Sequence, residues 1–180
     1  MSEHGADKGI ESVDVPSSMI DVATFRTIMA SFPTGVTVIT TVDKDGSPKG
    51  FTSNAVSSVS MDPPLLLVCV ALTSETLPVL QRSRKFVVNY LRAGQEDVSN
   101  RFATKGPDKF SGVDFDVEDG WPILRGHNVA HAHCVTEFEV EAGDHLVIFG
   151  RVVDGDAQPD THQPLLYYRR EYPTWGDTGE

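Results

Sequence analysis

Polar side chains between residues 52 and 60 form the first group in this 180-residue sequence whose types and spacing could do chemistry. The run reads TSNAVSSVS and is rich in hydroxyl groups. Its small side chains allow a ligand to approach the backbone closely. Its hydroxyl and amide groups can bind phosphate oxygens or ring carbonyls without a charged side chain. A solvated strand edge has the same composition, so the run by itself leaves both interpretations open.

Two further polar groups could contact a nucleotide. Ser74 and Thr76 precede a predicted short helix, where hydroxyl groups and backbone amides can meet a pyrophosphate, although simple helix capping uses the same residues. Near the C-terminus, Arg170 and Tyr172 offer a guanidinium group and an aromatic ring that could bind phosphate or stack on a base. An aromatic strand that closes a barrel explains that segment equally well.

Four histidines lie within nineteen positions, from His127 to His145. On a strand, His131 and His133 share one face with Glu137 further along it. The spacing from Gly126 to Gly143 comes close to the first metal-binding motif of the cupins, with both glycine spacings one residue short. Two imidazoles and a carboxylate could hold iron, manganese or zinc. A solvent-facing strand with polar alternation is the other interpretation.

His145 follows the turn residues Gly143 and Asp144, which would place its ring at the rim of a barrel. There it could hydrogen-bond a substrate or exchange a proton, or it could be a surface histidine in a turn. The sequence contains no GxGxxG, GxxxxGK[ST] or GxSxG motif. A Rossmann nucleotide site, a P-loop and a nucleophile elbow are therefore not supported.

The elements that must position these groups are mostly strands. Apolar residues at helical spacing predict a helix from Asp21 to Phe32 that ends before Pro33. Helices are also predicted over 74–80 and 95–103, and strands over 36–42, 65–71, 85–91, 131–140, 145–153 and 165–168. The segment 104–122 and the residues 154–156 are expected to be loop and turn. Because the connections are short, we expect a mainly β fold, an antiparallel barrel of about six strands with short flanking helices.

Composition limits the class of protein. Residues 1–18 show no apolar periodicity and are predicted to be a disordered tail, which leaves one domain over 19–180. The net charge of −11 argues against binding nucleic acid or a membrane surface. Without a signal peptide or an apolar segment of membrane-spanning length, a cytoplasmic protein is expected. Cys69 and Cys134, far apart in apolar or alternating runs, fit buried reduced thiols.

Taken in order along the chain, these weak motifs resemble the short-chain flavin reductases, the reductase components of two-component flavin-dependent monooxygenases. The resemblance covers roughly residues 21–172 and rests on the following segments: GVTVIT at 35–40, GFTSNA at 50–55, SVSMDPP at 58–64, FVVN at 86–89, FA at 102–103, KF at 109–110, GDH at 143–145 and PLLY at 164–167. It implies a flavin-binding split barrel, a six-stranded antiparallel Greek-key barrel that acts as a homodimer. It also implies reduction of FAD or FMN by NADH or NADPH, with the reduced flavin passed to a separate oxygenase.

The resemblance also implies which residues would bind the cofactors. The flavin ring, ribityl chain and phosphates would be contacted by Thr52, Ser53, Asn54, Ala55, Ser58, Val59, Ser60, Cys69, Ser74 and Thr76. Phe102 and Lys109 would close the nucleotide side, and His145 would face the nicotinamide as the one catalytic residue. Arg170 and Tyr172 would add to the pyridine-nucleotide pocket, and no metal is implied.

This interpretation agrees with the chemistry of hydride transfer, which the cofactor carries out and the protein only has to orient. Neither a nucleophile nor a catalytic carboxylate is required, and weak neutral contacts suit a flavin that must leave. No basic cluster able to hold a 2′-phosphate stands out, which favours NADH. A cupin-like metal enzyme and a non-catalytic flavin-binding protein are the alternatives.

Overall fold

The computed structural model describes residues 20–106, 108–158, 162–174 and 176; the predicted tail 1–18 lies outside them. The helices are α1 Val22–Ala30, α2 Leu77–Ser83 and α3 Glu96–Ala103. The strands are β1 Thr34–Gly35, β2 Thr37–Val42, β3 Pro48–Ser53, β4 Val56–Met61, β5 Pro64–Ala71, β6 Lys85–Leu91, β7 Asp116–Glu118, β8 Trp121–Ile123, β9 Asn128–Ala142, β10 His145–Ala157 and β11 Leu166–Tyr167. The predicted mainly β class with short helices is confirmed.

Helix α1 begins where the sequence predicts, because Asp21 is its N-cap and its carboxylate accepts a hydrogen bond from the Thr24 amide at 2.9 Å. None of its residues is buried. Val22, Phe25, Ile28 and Met29 are each more than half exposed. The apolar stripe therefore has no partner within the described part of the chain.

Seven antiparallel strands form the main sheet in the order β3-β2-β6-β9-β10-β5-β4. The two edge strands, β3 and β4, are separated in sequence only by Asn54 and Ala55. A two-residue link cannot span a flat seven-stranded sheet, so the sheet curls and brings the end of β3 and the start of β4 together at this corner. The β3–β4 corner is the geometric feature that positions the site.

Two apolar clusters fill the interior. One joins β2, β5, β6, β9 and β10 with α2, and its largest fully buried side chain is Phe86. The other lies beneath α3 and includes Phe102, which has no exposed surface. Because the first cluster draws on strands that are not neighbours in the sheet, it holds the curl in place.

Four details differ from the sequence-based predictions. The sheet has seven strands rather than about six: its edge strands β3 and β4 are not among the predicted strands, and the predicted strand 165–168 pairs with β1 outside this sheet. Residues 154–156 continue β10 instead of turning, because each pairs with β9 across the ladder. The segment 104–122 contains part of a small hairpin, β7 with β8. Finally, β5 is not buried on both faces: Leu66, Val68 and Val70 are buried, whereas the alternate side chains remain partly exposed.

Candidate active site

A cavity of about 330 Å³ opens beside the β3–β4 corner. Nine of the predicted site residues line it: Thr52, Ser53, Asn54, Ala55, Cys69, Ser74, Phe102, Lys109 and His145. They come from β3, the corner, β5, the approach to α2, α3, the following loop and β10. The fold therefore brings together residues that lie up to 93 positions apart in the chain, counted from Thr52 to His145. We call this space the flavin cavity, after the ligand that the sequence resemblance implies.

Hydrogen bonds within the corner hold its backbone. Asn54 donates from Nδ2 to Thr34 Oγ1 at 3.2 Å, and the Ala55 amide donates to Ser53 Oγ at 3.1 Å. The Ala55 carbonyl accepts from the Cys69 amide at 3.0 Å, which ties the corner to β5. The wall facing the cavity thus consists of small, uncharged groups at fixed positions, as close approach of a planar ring requires.

Hydrogen bonds to backbone carbonyls hold the side chains of Thr52 and Lys109 in place. Thr52 donates its hydroxyl hydrogen to the Ser99 carbonyl at 2.6 Å, so its oxygen can only accept further hydrogen bonds. Lys109 Nζ donates to the carbonyls of Gly50 at 3.1 Å and Phe102 at 3.2 Å. Partial burial lowers the pKa of the Lys109 ammonium, and the nearby Glu75 carboxylate acts in the opposite direction. A charged donor with one hydrogen left therefore sits at one end of the cavity.

His145 stands at the start of β10. Its Nδ1 lies 2.7 Å from Asp144 Oδ1, and this hydrogen bond lowers the pKa of the exposed Asp144 carboxyl group. A carboxylate partner at Nδ1 fixes the orientation of the ring and leaves Nε2 as the nitrogen available to another molecule. The geometry suits a histidine that positions a ligand or exchanges a proton with it.

The two thiols differ in environment. Cys69 lines the cavity and is partly exposed, with a pKa raised by desolvation. Cys134 is fully buried in the core beside Phe86, and burial raises its pKa to about 12. Both are free cysteines, as predicted, but only Cys134 is buried, because the side chain of Cys69 lies on the partly exposed face of β5.

Ser74 and Thr76 line two different cavities that adjoin each other. Ser74 lines the flavin cavity and accepts a hydrogen bond from the Thr76 amide at 3.3 Å. Thr76 is buried at the N-cap of α2, makes no side-chain capping bond and lines an adjoining cavity instead. Its hydroxyl donates to the Gly50 carbonyl at 3.3 Å.

The remaining predicted residues lie elsewhere. Ser58, Val59 and Ser60 are further along β4 and line none of the larger cavities of the described chain. Arg170 lines a neighbouring groove that meets the flavin cavity only through Asn54. Tyr172 uses its hydroxyl within the protein, 3.0 Å from both Ser99 Oγ and Asn100 Oδ1.

Some lining residues were not predicted from the sequence: Phe51, Ala71, Thr73, Glu75, Ala103, Thr104 and Lys105. Four of them are immediate chain neighbours of predicted residues, and two of these four, Phe51 and Ala103, also lie in segments that carry the family resemblance. Glu75 and Lys105 matter most because they are charged. Neither belongs to any of the segments that carry the family resemblance.

The three residues of the cupin-like interpretation, His131, His133 and Glu137, make contacts with neighbouring side chains. Glu137 forms a bidentate ion pair with Arg151, at 2.7 and 2.9 Å. His133 stacks on Trp121 with ring centroids 4.9 Å apart, and His131 packs against His133. Within the described ranges no three metal-ligating side chains converge on one point. The cupin-like arrangement is therefore not supported.

The flavin cavity fits the group that the sequence resemblance implies. Its volume lies at the lower end of ligand sites, its walls carry hydroxyl and amide groups, and a lysine stands at one end where a phosphate would need a cation. Apolar surface from Phe51, Ala71 and Ala103 supplies the contacts that an aromatic ring system needs.

Comparison with known proteins agrees with this geometry. Residues 29–176 match the family model described as "Flavin reductase like domain". The chain is 42% identical over 165 residues to "Flavin reductase (NADH)" of Kitasatospora aureofaciens, covering 91% of this chain and 86% of that protein. It is 42% identical over 159 residues to "Flavin-dependent monooxygenase, reductase subunit HsaB" of Rhodococcus jostii, covering 88% and 80%.

A solved structure has the same architecture. The Streptomyces globisporus "NADH:FAD oxidoreductase SgcE6 in complex with NAD and FAD fragments" superposes with a TM-score of 0.82 at 31% identity, covering 91% of this chain and all of that one. The family model, the two relatives and this structure agree over nearly the whole described chain. The chain belongs to the flavin reductase-like domain family.

Proposed function

We propose that this protein is an NAD(P)H:flavin oxidoreductase that transfers hydride from NADH, or NADPH, to FAD or FMN. The flavin cavity carries the proposal, because neutral hydroxyl and amide groups line one wall, a lysine stands at one end and a histidine at the rim. Membership of the family and the names of its relatives support the same activity. The flavin supplies the redox chemistry when it is bound, and the protein supplies its position.

In this proposal Thr52, Ser53, Asn54 and Ala55 hold the ring and ribityl chain. The Ser53 hydroxyl and the second hydrogen of Asn54 Nδ2 would stabilise negative charge that develops on a reduced ring, since the hydrogen bonds of the corner do not use these donors. Ser74 and Lys109 meet the phosphates, while Phe102 supports the nucleotide side from below. A phosphate contact by Thr76 stays a prediction, because its amide and its hydroxyl both donate within the protein. The roles of Ser58, Val59, Ser60, Arg170 and Tyr172 stay predictions.

His145 is proposed to position the nicotinamide at hydride-transfer distance and to exchange a proton with the reduced product. Asp144 holds the ring through Nδ1, so Nε2 points away from that bond. The proposal requires a stacked arrangement with reacting atoms about 3–3.5 Å apart.

We propose a flavin-dependent monooxygenase as the partner that receives the reduced flavin. The relative from Rhodococcus jostii is named as the reductase subunit of such an enzyme. The neutral hydroxyl and amide contacts to the ring and ribityl chain favour release, since they are not charge-assisted; only the contacts to the phosphates are. The cytoplasmic location predicted from the sequence stays a prediction; no described helix is long and apolar enough to cross a bilayer.

We further propose that the curled sheet is the split barrel of the family and that it forms a homodimer. Alternation along β5, β9 and β10 leaves an outward face of apolar side chains, composed of Leu65, Leu67, Phe138, Val140, Val147 and Phe149. Phe138 is 46% exposed, and it stacks on Phe149 with centroids 4.3 Å apart. An apolar cavity of about 610 Å³ connects this face to α1. A second copy of the chain would cover both surfaces.

Light scattering on the purified protein tests the dimer. The wild type should have twice the 19.6 kDa chain mass, and Phe138→Glu should shift it toward the monomer. Val117→Glu adds the same charge at an exposed valine on β7, outside the apolar face, and should leave the dimer intact. A monomeric wild type would reject the proposal.

Absorbance at 340 nm tests the activity. NADH and NADPH are each supplied with FAD, with FMN and with no flavin. Oxidation of the nicotinamide only when flavin is present supports the proposal. Tight flavin binding without any oxidation would instead indicate a flavin-binding protein, and no affinity for any flavin would reject the site.

A further inference from the structure

The flavin cavity meets a second cavity of about 400 Å³ that lies between β3 and α2. Among the residues that the structure describes, only Glu75 and Lys109 line both spaces. The second cavity is otherwise lined by groups such as Lys49, Arg82 and Phe110. A phosphate chain that runs from the flavin cavity in this direction would pass both Glu75 and Lys109.

Donors at this junction form a position suited to an anion. Lys109 donates two of its three ammonium hydrogens to the Gly50 and Phe102 carbonyls, which leaves the third for a ligand. Lys105 lines the flavin cavity as well. The Gly106 amide points toward the same junction, since it donates to Glu75 Oε2.

Glu75 already accepts a hydrogen bond from one of these donors, the Gly106 amide. Its bond from the Gly106 amide is long, at 3.4 Å, and the side chain is exposed, so the carboxylate is weakly held. Its charge acts on Lys109. A carboxylate here repels a phosphate and competes with it for the same donors.

We propose that Glu75 is a specificity-determining residue that weakens the binding of phosphate-bearing flavins and so speeds their release. This inference rests on the proposed function, because it assumes that a flavin phosphate lies near Lys109. Fast release is what a protein needs if its reduced product must diffuse to another enzyme. The negative charge of Glu75 speeds release of the flavin without altering the wall that holds the ring.

Flavin fluorescence titrations of Glu75→Gln test the inference. The neutral amide keeps the shape of the side chain and removes its charge, so FAD and FMN should bind roughly three- to fivefold more tightly. Riboflavin has no phosphate, and its affinity should not change. The gain should shrink in 0.5 M NaCl, because salt screens exposed charges.

Glu96→Gln is the matched control, since Glu96 lies on α3, lines neither cavity and gives the same change in net charge. It should bind all three flavins like the wild type. Glu75→Ala should reproduce the gain of Glu75→Gln, which shows that charge and not a new amide contact is responsible. Unchanged or weaker FAD binding in both Glu75 variants, or an equal gain for riboflavin, overturns the inference. A wild type that binds no flavin overturns the proposed function instead.

Discussion

At the scale of single residues, the site depends on a few side chains that are held from outside the cavity. Asp144 holds His145, two carbonyls hold Lys109, and the Ser99 carbonyl holds Thr52. Each anchor leaves one defined atom free toward the cavity. Side chains fixed in this way lose little additional freedom when a ligand binds.

His145→Ala tests the role at the rim. Without the imidazole, the nicotinamide is less well oriented, and kcat/KM for NADH should fall roughly tenfold. Flavin affinity, measured by fluorescence, should change little. Asp144→Asn keeps the ring but weakens its anchor and should produce a smaller loss. Hydride transfer and NADH affinity at wild-type values in His145→Ala would contradict the assignment.

The cysteines report on where the flavin lies. Cys69 is partly exposed in the cavity, whereas Cys134 is buried with a pKa raised to about 12. Iodoacetamide at pH 8 should therefore alkylate Cys69 first, and slowly, because its own pKa is also raised. Saturating FAD should protect Cys69, as followed by mass spectrometry. Equal labelling with and without flavin would place the ring away from β5.

At the scale of elements, the β9–β10 ladder depends on a close approach at Gly150. A Cβ added there would lie 2.5 Å from Phe86 Cζ and 3.0 Å from Cys134 Cβ, inside the first core cluster. Gly150→Ala should lower the free energy of unfolding by about 1–3 kcal/mol through overpacking. Urea denaturation measures the loss. Gly35→Ala is the control, since nothing lies within 4 Å of its added carbon, and an equal effect in both would exclude packing as the cause.

At the scale of the whole molecule, the burial of three histidines makes the free energy of unfolding depend on pH. Desolvation lowers the pKa values of His127, His131 and His133 below the ordinary 6.5, so the folded chain resists their protonation. Around His131 and His133 the facing charges are Glu118, Arg125, Asp154 and Asp156. The unfolded chain binds these protons first, so the free energy of unfolding should fall as the pH drops below about 6.5.

Urea midpoints between pH 7.5 and 5.5 measure this dependence. His133→Phe keeps a ring stacked on Trp121 and removes one titrating group, so its midpoint should fall less steeply than that of the wild type. Identical slopes in the two proteins would show that His133 does not contribute.

Much of this protein follows from local patterns in its sequence. Asp21 and the apolar spacing after it specify α1, and β-branched runs specify β2 and β6, because these signals act between neighbours in the chain. The colinear motifs also identified the family. The extension of β10 through 154–156 was missed, because only the ladder with β9 outweighs the turn preference of Asp and Gly there.

What only the tertiary structure decided is which residues share a space. It brought Thr52, Cys69, Lys109 and His145 to one cavity, left Ser58 to Ser60 outside it and used Tyr172 within the fold. It also brought Glu75 and Lys109 to the junction of two cavities. Such contacts depend on how a seven-stranded sheet curls, and the curl is set by packing between distant strands, which no local window of sequence contains.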